Sequence, residues 1–365
     1  MRVGLIGCGR IANQAHAAAY SAADVQVTAV CDLDPARAAA MADRLGCPVA
    51  PTAQALARRG DVDLIDVATD PGGRADLLRS LFGVGKPILS QKPLTYDVST
   101  ASALVSEAAR AGVVLAVNHN ARWAPTHLEV YRRLLAGDLG HVYAIAHHNR
   151  FSENVDTWYT RHRDYLFLDH GIHYFDLVRV LTGQNPTAVS TTAATFPGQL
   201  PAGPIMHSTQ LRFADPATPH VVLTFVNAVP VPDGFDYRLI LDGTLASLRA
   251  GLTSIDYLPH PAAGPTRPAA RDQPVPGDWV PDGFVGALNA VVAHLCHDGP
   301  LPHSAADHLA SLAVATAAAR SARHRGAWTT VDLPPHLADR PGHGEQAPEV
   351  NDGEATAASL RDYLL

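Results

Sequence analysis

Gly4-Leu5-Ile6-Gly7-Cys8-Gly9-Arg10-Ile11-Ala12 decides the reading of this chain. Arg2–Ile6 is an apolar run that reads as a strand, and Ile11–Ser21 reads as a helix. Between them Gly7, Gly9 and Ala12 fall in a G-x-G-x-x-A pattern, in the strand–turn–helix setting such a pattern needs. Gly7 permits the tight turn, Gly9 lets backbone approach a pyrophosphate, and Ala12 lets helix and strand pack closely. The helix start at Arg10 and Ile11 offers free N–H groups and a partial positive charge to phosphates. A second strand candidate, Val25–Cys31, leads into Asp32, about 20 residues beyond the turn, where an acid meets the adenosine ribose. A carboxylate there repels a 2′-phosphate and favours NAD, while Arg37 nearby keeps NADP open. The plain alternative is a glycine turn that binds nothing.

Further strand candidates, Val62–Thr69, Pro87–Leu89 and Val113–Asn118, alternate with helical patterns at Pro35–Leu45, Ala53–Arg59, Gly73–Gly83 and Ser99–Ala111. Strands apolar on both faces, separated by helices, predict a doubly wound parallel Rossmann sheet over residues 1–122. After Asn118 the pattern changes. A helix at Ala124–Leu135, a strand at His141–Arg150 and a helix at Asp169–Leu181 precede strand runs such as Val221–Val226, Tyr237–Asp242 and Leu245–Arg249. Runs of strands without intervening helices predict an α+β domain on an open, mostly antiparallel sheet over residues 123–335. Pro259–Pro281 reads as an irregular loop, Phe284–His297 and Ser304–Arg323 as helices, Trp328–Asp332 as a last strand, and 336–365 as a polar tail.

The 365 residues carry a net charge of −7, which argues against a nucleic-acid partner, and no basic run suggests docking on an anionic membrane. Cys8, Cys31, Cys47 and Cys296 form no CxxC pair, which fits reduced thiols in a cytoplasmic chain better than a disulfide framework or a zinc site. The apolar start MRVGLIGCG is too short for a signal-peptide core or a membrane span.

Lysine occurs only at Lys86 and Lys92. Lys92 follows the strand Pro87–Leu89, at the sheet edge where open α/β sheets bind ligands. An amine there can act as a general base or hydrogen-bond an alcohol that loses hydride. It can also be an ordinary solvated loop lysine. Asp169 and His173 stand four apart in a helical pattern, so both side chains project from one face. A carboxylate beside an imidazole orients it for acid–base work. A core histidine, a helix-stabilising pair, or Asp169 as helix N-cap are the competing readings. A metal site from Asp169, His170 and His173 is disfavoured, because His170 lies on another face and no further ligand cluster is evident.

The glycine turn, the Lys92-Pro93 pair and Asp169-His170-Gly171-Ile172-His173, in that order, resemble the Gfo/Idh/MocA oxidoreductase family from Met1 to about Asp332. The family carries Glu-Lys-Pro where this chain has Gln91-Lys92-Pro93, and its Thr-Pro-x-x-x-His stretch is altered to Thr69-Asp70-Pro71-Gly72-Gly73-Arg74. His16, Thr69 and Arg122 match other family positions. The resemblance implies Lys92, Asp169 and His173 as the catalytic group, cofactor contacts from Thr69, Gln91 and Lys92, and a C-terminal sheet that joins subunits into a dimer or tetramer. Asn118, His119, Arg122 and Trp123 after the last Rossmann strand, with Trp158 and Tyr159, suit a polyhydroxylated substrate or equally an interface. The expected activity is NAD(P)-dependent hydride transfer from a secondary alcohol of a sugar, inositol or related polyol. Transient NAD-dependent oxidation within a glycoside cleavage or elimination, and a non-catalytic NAD(P)-binding regulator, are the alternatives.

Overall fold

The computed structural model describes residues 1–229, 236–261, 268–334 and 337. They divide into two units, Met1–Trp123 with Trp279–Leu309, and Ala124–Asp278 with the residues from Ala310 on. The polar tail expected from residue 336 lies, Leu337 apart, outside the described residues.

In the N-terminal unit, β1 (Arg2–Ile6), β2 (Gln26–Cys31), β3 (Leu64–Val67), β4 (Ile88–Gln91) and β5 (Leu115–Asn118) form a parallel sheet in the order β2-β1-β3-β4-β5. A single parallel bridge, Val30 to Val49, marks a further rung beyond β2. The order reverses between β1 and β3, which opens the ligand crevice at their C-terminal ends. β3 to β5 are buried at every residue, which is why they read as unbroken apolar runs.

The helices start where polar caps dictate. Asp34 accepts from Ala36 and Arg37 N–H ahead of α2 (Pro35–Leu45), which ends at Gly46 with φ 64°. α3 (Ala53–Ala57), α4 (Pro71–Phe82) and α5 (Val98–Arg110) are capped by Thr52, Asp70 and Asp97. The first helix is not uniform: a π-helical turn, Ala12–His16, precedes α1 (Ala17–Ala22). Such turns recur at functional sites.

The chain enters this unit a second time, which differs from a linear division after residue 122. α8 (Phe284–His297) places Leu288 and Val291 in the core formed by Val3, Leu5, Ala12 and Met41. Trp279–His297 is also long and apolar enough, by composition, to span a bilayer; its apolar side is part of this core.

Among the described residues the C-terminal unit holds α6 (Pro125–Leu135), α7 (Ile172–Thr182) and nine strands, whose order is β13-β12-β11-β10-β6-β9-β8-β7-β14. The strands are β6 (Val142–Arg150), β7 (Ala188–Ala194), β8 (Met206–Arg212), β9 (His220–Val226), β10 (Asp236–Gly243), β11 (Ala246–Ala250), β12 (Ser254–Pro259), β13 (Ala270–Pro274) and β14 (Thr329–Thr330). β6 and β9 pair in parallel and every other pairing is antiparallel. One face alternates into the core through Ile145, His147, Asn149, Leu223 and Phe225. α9 (Ala305–Arg323) begins among residues of the first unit and continues into the second.

Two expectations are corrected. Pro259–Pro281 is not wholly an irregular loop: β13 pairs with β12 within it, and Trp279–Gly283 turns into α8. Pro259 and Pro274 stand at the ends of the two strands, so composition hid an edge strand. Nor does a helix start at Asp169; a π-helical turn, Leu166–Gly171, leads into α7, so Asp169 is not the N-cap.

Candidate active site

The turn after β1 needs glycine at one position for two reasons. Gly7 has φ +96°, and a Cβ there would meet Ala68 O at 2.7 Å. At Gly9 a Cβ would meet nothing within 4 Å, so its bare backbone faces space that a phosphate can take. Cys8 N–H, between them, donates to Asp32 Oδ2 at 2.6 Å, and Asp34 N–H donates to Asp32 Oδ1 at 2.8 Å. Asp32 is thus anchored through both oxygens, each of which keeps a lone pair for a ribose hydroxyl. Arg37, the residue that kept NADP open, pairs with Asp34 at 3.3 Å. Burial, with the charge of Asp32 adding, pushes the Cys8 thiol up to about 12, which makes it packing and not a nucleophile.

Arg10 is exposed, Ile11 half-buried and Ala12 buried at the start of the first helix. Thr69 follows β3, and its Cγ2 would lie 3.0 Å from a Cβ on Gly7. Among the described residues Thr69 Oγ1 and Asn118 Oδ1 are buried without a hydrogen-bond partner. Both stand at C-terminal ends of parallel strands. An open glycine backbone, an anchored acid and unsatisfied polar atoms at the crevice fit a dinucleotide.

Behind the crevice lies a cluster that sequence reasoning did not find. Asp66 in β3 is 1% exposed. Its Oδ2 meets His16 Nδ1 at 2.7 Å and accepts from the Tyr20 hydroxyl at 2.5 Å. Burial first, then the Asp66 charge, raises Tyr20 well above its ordinary range, so its hydroxyl stays a donor. The π-helical turn places His16 on the strand side of the helix, edge-on to Phe284 at 5.3 Å. An aspartate inside an otherwise apolar parallel strand was the available signal. Arg74, in the first turn of α4, was likewise missed; its guanidinium is 1% exposed.

Lys92 is half-buried and lies just past β4. Gln91, the last residue of β4, is 4% exposed and meets His16 Nε2 through its own Nε2 at 2.8 Å. Leu94 N–H donates to His308 Nε2 at 3.1 Å, which leaves His308 Nδ1 to donate to His119 Nε2 at 2.8 Å. His119 is therefore part of the support under the Lys92 segment. Arg122 donates to Pro302 O and pairs with Asp307, both side chains being buried. Trp123 is also buried, edge-on to His303 at 5.8 Å.

Asp169 and His173 belong to the C-terminal unit, Asp169 in the π-helical turn and His173 in the first turn of α7. Both are half-buried. His170 packs toward the sheet: its Nδ1 lies 2.6 Å from Asn227 Nδ2, and its ring stands edge-on to Phe151 at 4.8 Å. Trp158 is 54% exposed and stacks edge-on to Tyr159, which is buried against Tyr165. The two aromatic substrate candidates are thus separated by burial. Among the described residues no group of three His, Cys, Asp or Glu side chains is arranged to hold a metal ion.

Fold and glycine turn define a dinucleotide-dependent oxidoreductase of the Rossmann class. Residues 1–119 match the oxidoreductase family with an NAD-binding Rossmann fold, and 127–249 match the GFO/IDH/MocA C-terminal domain. The chain belongs to the GFO/IDH/MocA family. It is 28% identical to the inositol 2-dehydrogenase of Rhizobium meliloti over 88% of this chain and 96% of that one. It is 30% identical to a myo-inositol dehydrogenase of Streptomyces leeuwenhoekii over 80% of this chain and 86% of that one. An oxidoreductase of Agrobacterium radiobacter solved with NAD+, L-tartaric acid and magnesium shares the fold, with a TM-score of 0.77 and 22% identity over 91% and 98% of the two chains.

Proposed function

We propose that this protein oxidises a secondary alcohol of inositol, a sugar or a related polyol, with NAD as acceptor, and that Lys92, Asp169 and His173 carry the chemistry. The observation behind this reading is the placement of Lys92 directly beyond β4, in the sheet whose β1 and β2 present the open glycine backbone and the anchored Asp32. The relatives named for inositol oxidation support the substrate class.

In this reading the Gly7–Gly9 backbone, Arg10, Ile11 and Ala12 receive the pyrophosphate, and Asp32 receives the adenosine ribose. Thr69, Gln91 and Lys92 border the nicotinamide end. NAD, when bound, accepts the hydride at nicotinamide C4. Lys92 or His173 removes the hydroxyl proton, and Asp169 orients the site. Asn118 and the exposed Trp158 are the substrate contacts, and Tyr159, buried against Tyr165, backs Trp158. His119, Arg122 and Trp123 serve from behind, because each is buried in contacts with residues 302–308. The reading also has the enzyme working in the cytoplasm as a dimer or tetramer. The outer face of the nine-stranded sheet is the subunit contact, where Ala146, exposed, lies in register with the half-buried Val222 and Ile240.

The test is to incubate the purified protein with NAD and a polyol panel that includes myo-inositol and follow absorbance of the reduced cofactor. Turnover of at least one polyol is expected. Tight NAD binding with no turnover across the panel would leave a binding protein and overturn the enzyme reading.

A further inference from the structure

We propose that Arg74 and Gln91 are positioning residues for Lys92, holding the carbonyls of both its chain neighbours and imposing one hydrogen-bond direction on the His16 cluster. The proposal rests on the reading of Lys92 as a proton-transfer group.

Arginine is rarely buried this deeply unless several acceptors satisfy it. Arg74 Nη1 donates to Gln91 O at 2.5 Å and also to Pro93 O, and Nη2 donates to Thr69 O. Three carbonyls therefore converge on one planar fork: one at the end of β3 and one on each side of Lys92. A guanidinium holds its donors at fixed angles, which an ammonium on a flexible stem cannot do. The lysine backbone cannot shift toward or away from the crevice without breaking at least one of these bonds.

Gln91 closes the remaining freedom. Its Oε1 accepts from Lys92 N–H at 3.2 Å. A peptide N–H can only donate, so the amide atom facing it must be the oxygen. The amide nitrogen then faces His16 and donates to Nε2 across 2.8 Å. His16 Nε2 is therefore an acceptor, its proton resides on Nδ1, and that proton goes to Asp66 Oδ2. Tyr20 donates to the same oxygen. One peptide N–H thus fixes the orientation of the Gln91 amide and, through it, the tautomer of His16. A glutamate at 91 would place an acceptor against an acceptor nitrogen, so His16 would have to change tautomer or gain a proton. That gives the Gln-for-Glu departure a physical meaning: Gln91 and the neutral Nδ1–H form of His16 are a matched pair.

The two lysines of the chain make a direct test feasible. Lysine labelled with ¹³C at Cε gives two resonances, assigned with Lys86→Arg. Gln91→Met removes both amide bonds at nearly constant volume. It is expected to move or broaden the Lys92 resonance while that of Lys86 stays, as is Arg74→Met. With NAD and a polyol that the native protein turns over, Gln91→Met is expected to lower kcat about 10–100-fold, and to lower the residual rate of Lys92→Ala no further. Ring-carbon shifts should report His16 as the Nδ1–H tautomer in the native protein and not in Gln91→Glu. A Lys92 resonance that superimposes on the native one in Gln91→Met, or an Nε2–H tautomer in the native protein, overturns the proposal. If Arg74→Met does not fold, Gln91→Met decides alone. Native turnover by Lys92→Ala would instead refute the proton-transfer reading, and the resonances would still decide positioning.

Discussion

His16 and His147 are equally hidden, each 2% exposed, yet the two units of the molecule treat a buried imidazole in opposite ways. In the N-terminal unit His16 is held at both ring nitrogens, by Asp66 and by Gln91. In the C-terminal unit neither nitrogen of His147 meets a hydrogen-bond partner among the described residues. Its ring lies instead against Tyr174 at 4.1 Å, Tyr237 at 5.1 Å and Phe225 at 5.2 Å. His207 stacks on the same Phe225 at 4.4 Å. Burial holds His147 well below its usual range, and burial, then the charge of His170, lowers His207 to about 3. The first environment gives an imidazole a direction and a carboxylate partner, which is what a site scaffold needs. The second keeps the ring neutral and uses it as an aromatic wall. Equal burial does not mean equal role.

The largest expected effect tests whether both units contribute chemistry. Lys92→Ala and His173→Ala should each slow oxidation about 10²–10⁴-fold in steady-state assays with NAD and an accepted polyol. A near-normal His173→Ala would confine proton transfer to the N-terminal unit. Next comes stability. Asp66→Leu strands His16 and Tyr20 together and should cost about 3 kcal/mol in urea unfolding. His147→Phe, which breaks no bond among the described residues, should cost about 1 kcal/mol or less. Equal costs would erase the contrast.

The third prediction concerns pH. A histidine whose folded pKa is depressed binds its proton more readily when unfolded. Its contribution is therefore complete above the unfolded value near 6.5 and is lost as pH falls toward the folded value. For His207 the window runs from 6.5 down to about 3. Stability should fall with acid by up to about 1.4 kcal/mol per pH unit per histidine, and His147→Phe with His207→Phe should flatten that slope. An unchanged slope would show that these rings are not the acid-sensitive groups. The smallest effect is at the ribose end of the crevice. Asp32→Ser should raise the ratio of NADP to NAD use by about tenfold, read from kcat/KM with each cofactor. Because Asp32 also anchors Cys8 N–H, some loss of NAD affinity should accompany the change.

The Rossmann sheet, the glycine turn and Asp32 were readable because each rests on a local rule: strand periodicity, φ above zero, and fixed spacing. The nine-stranded sheet was readable as a class, though β13 was masked by proline. What escaped was held together by long-range contact. Arg74 reads as one more arginine on a helix until its carbonyl partners, 17 and 19 positions on, are known. His119 and Arg122 read as ligand contacts because they follow a strand, and the sequence gives no sign that their side chains also meet His308 and Asp307. No spacing within residues 1–122 could have announced that, since the partners come from the other end of the chain.

That late return of the chain has a consequence for synthesis. Leu288 and Val291 complete the core around Val3, Leu5 and Met41. One wall of this core is therefore encoded only after residues 124–278, so the N-terminal part of a nascent chain lacks it until those residues have been translated. Expressing residues 1–122 alone would expose an apolar seam that chaperones would see, whereas a fragment restoring Trp279–Leu309 would supply what seals it.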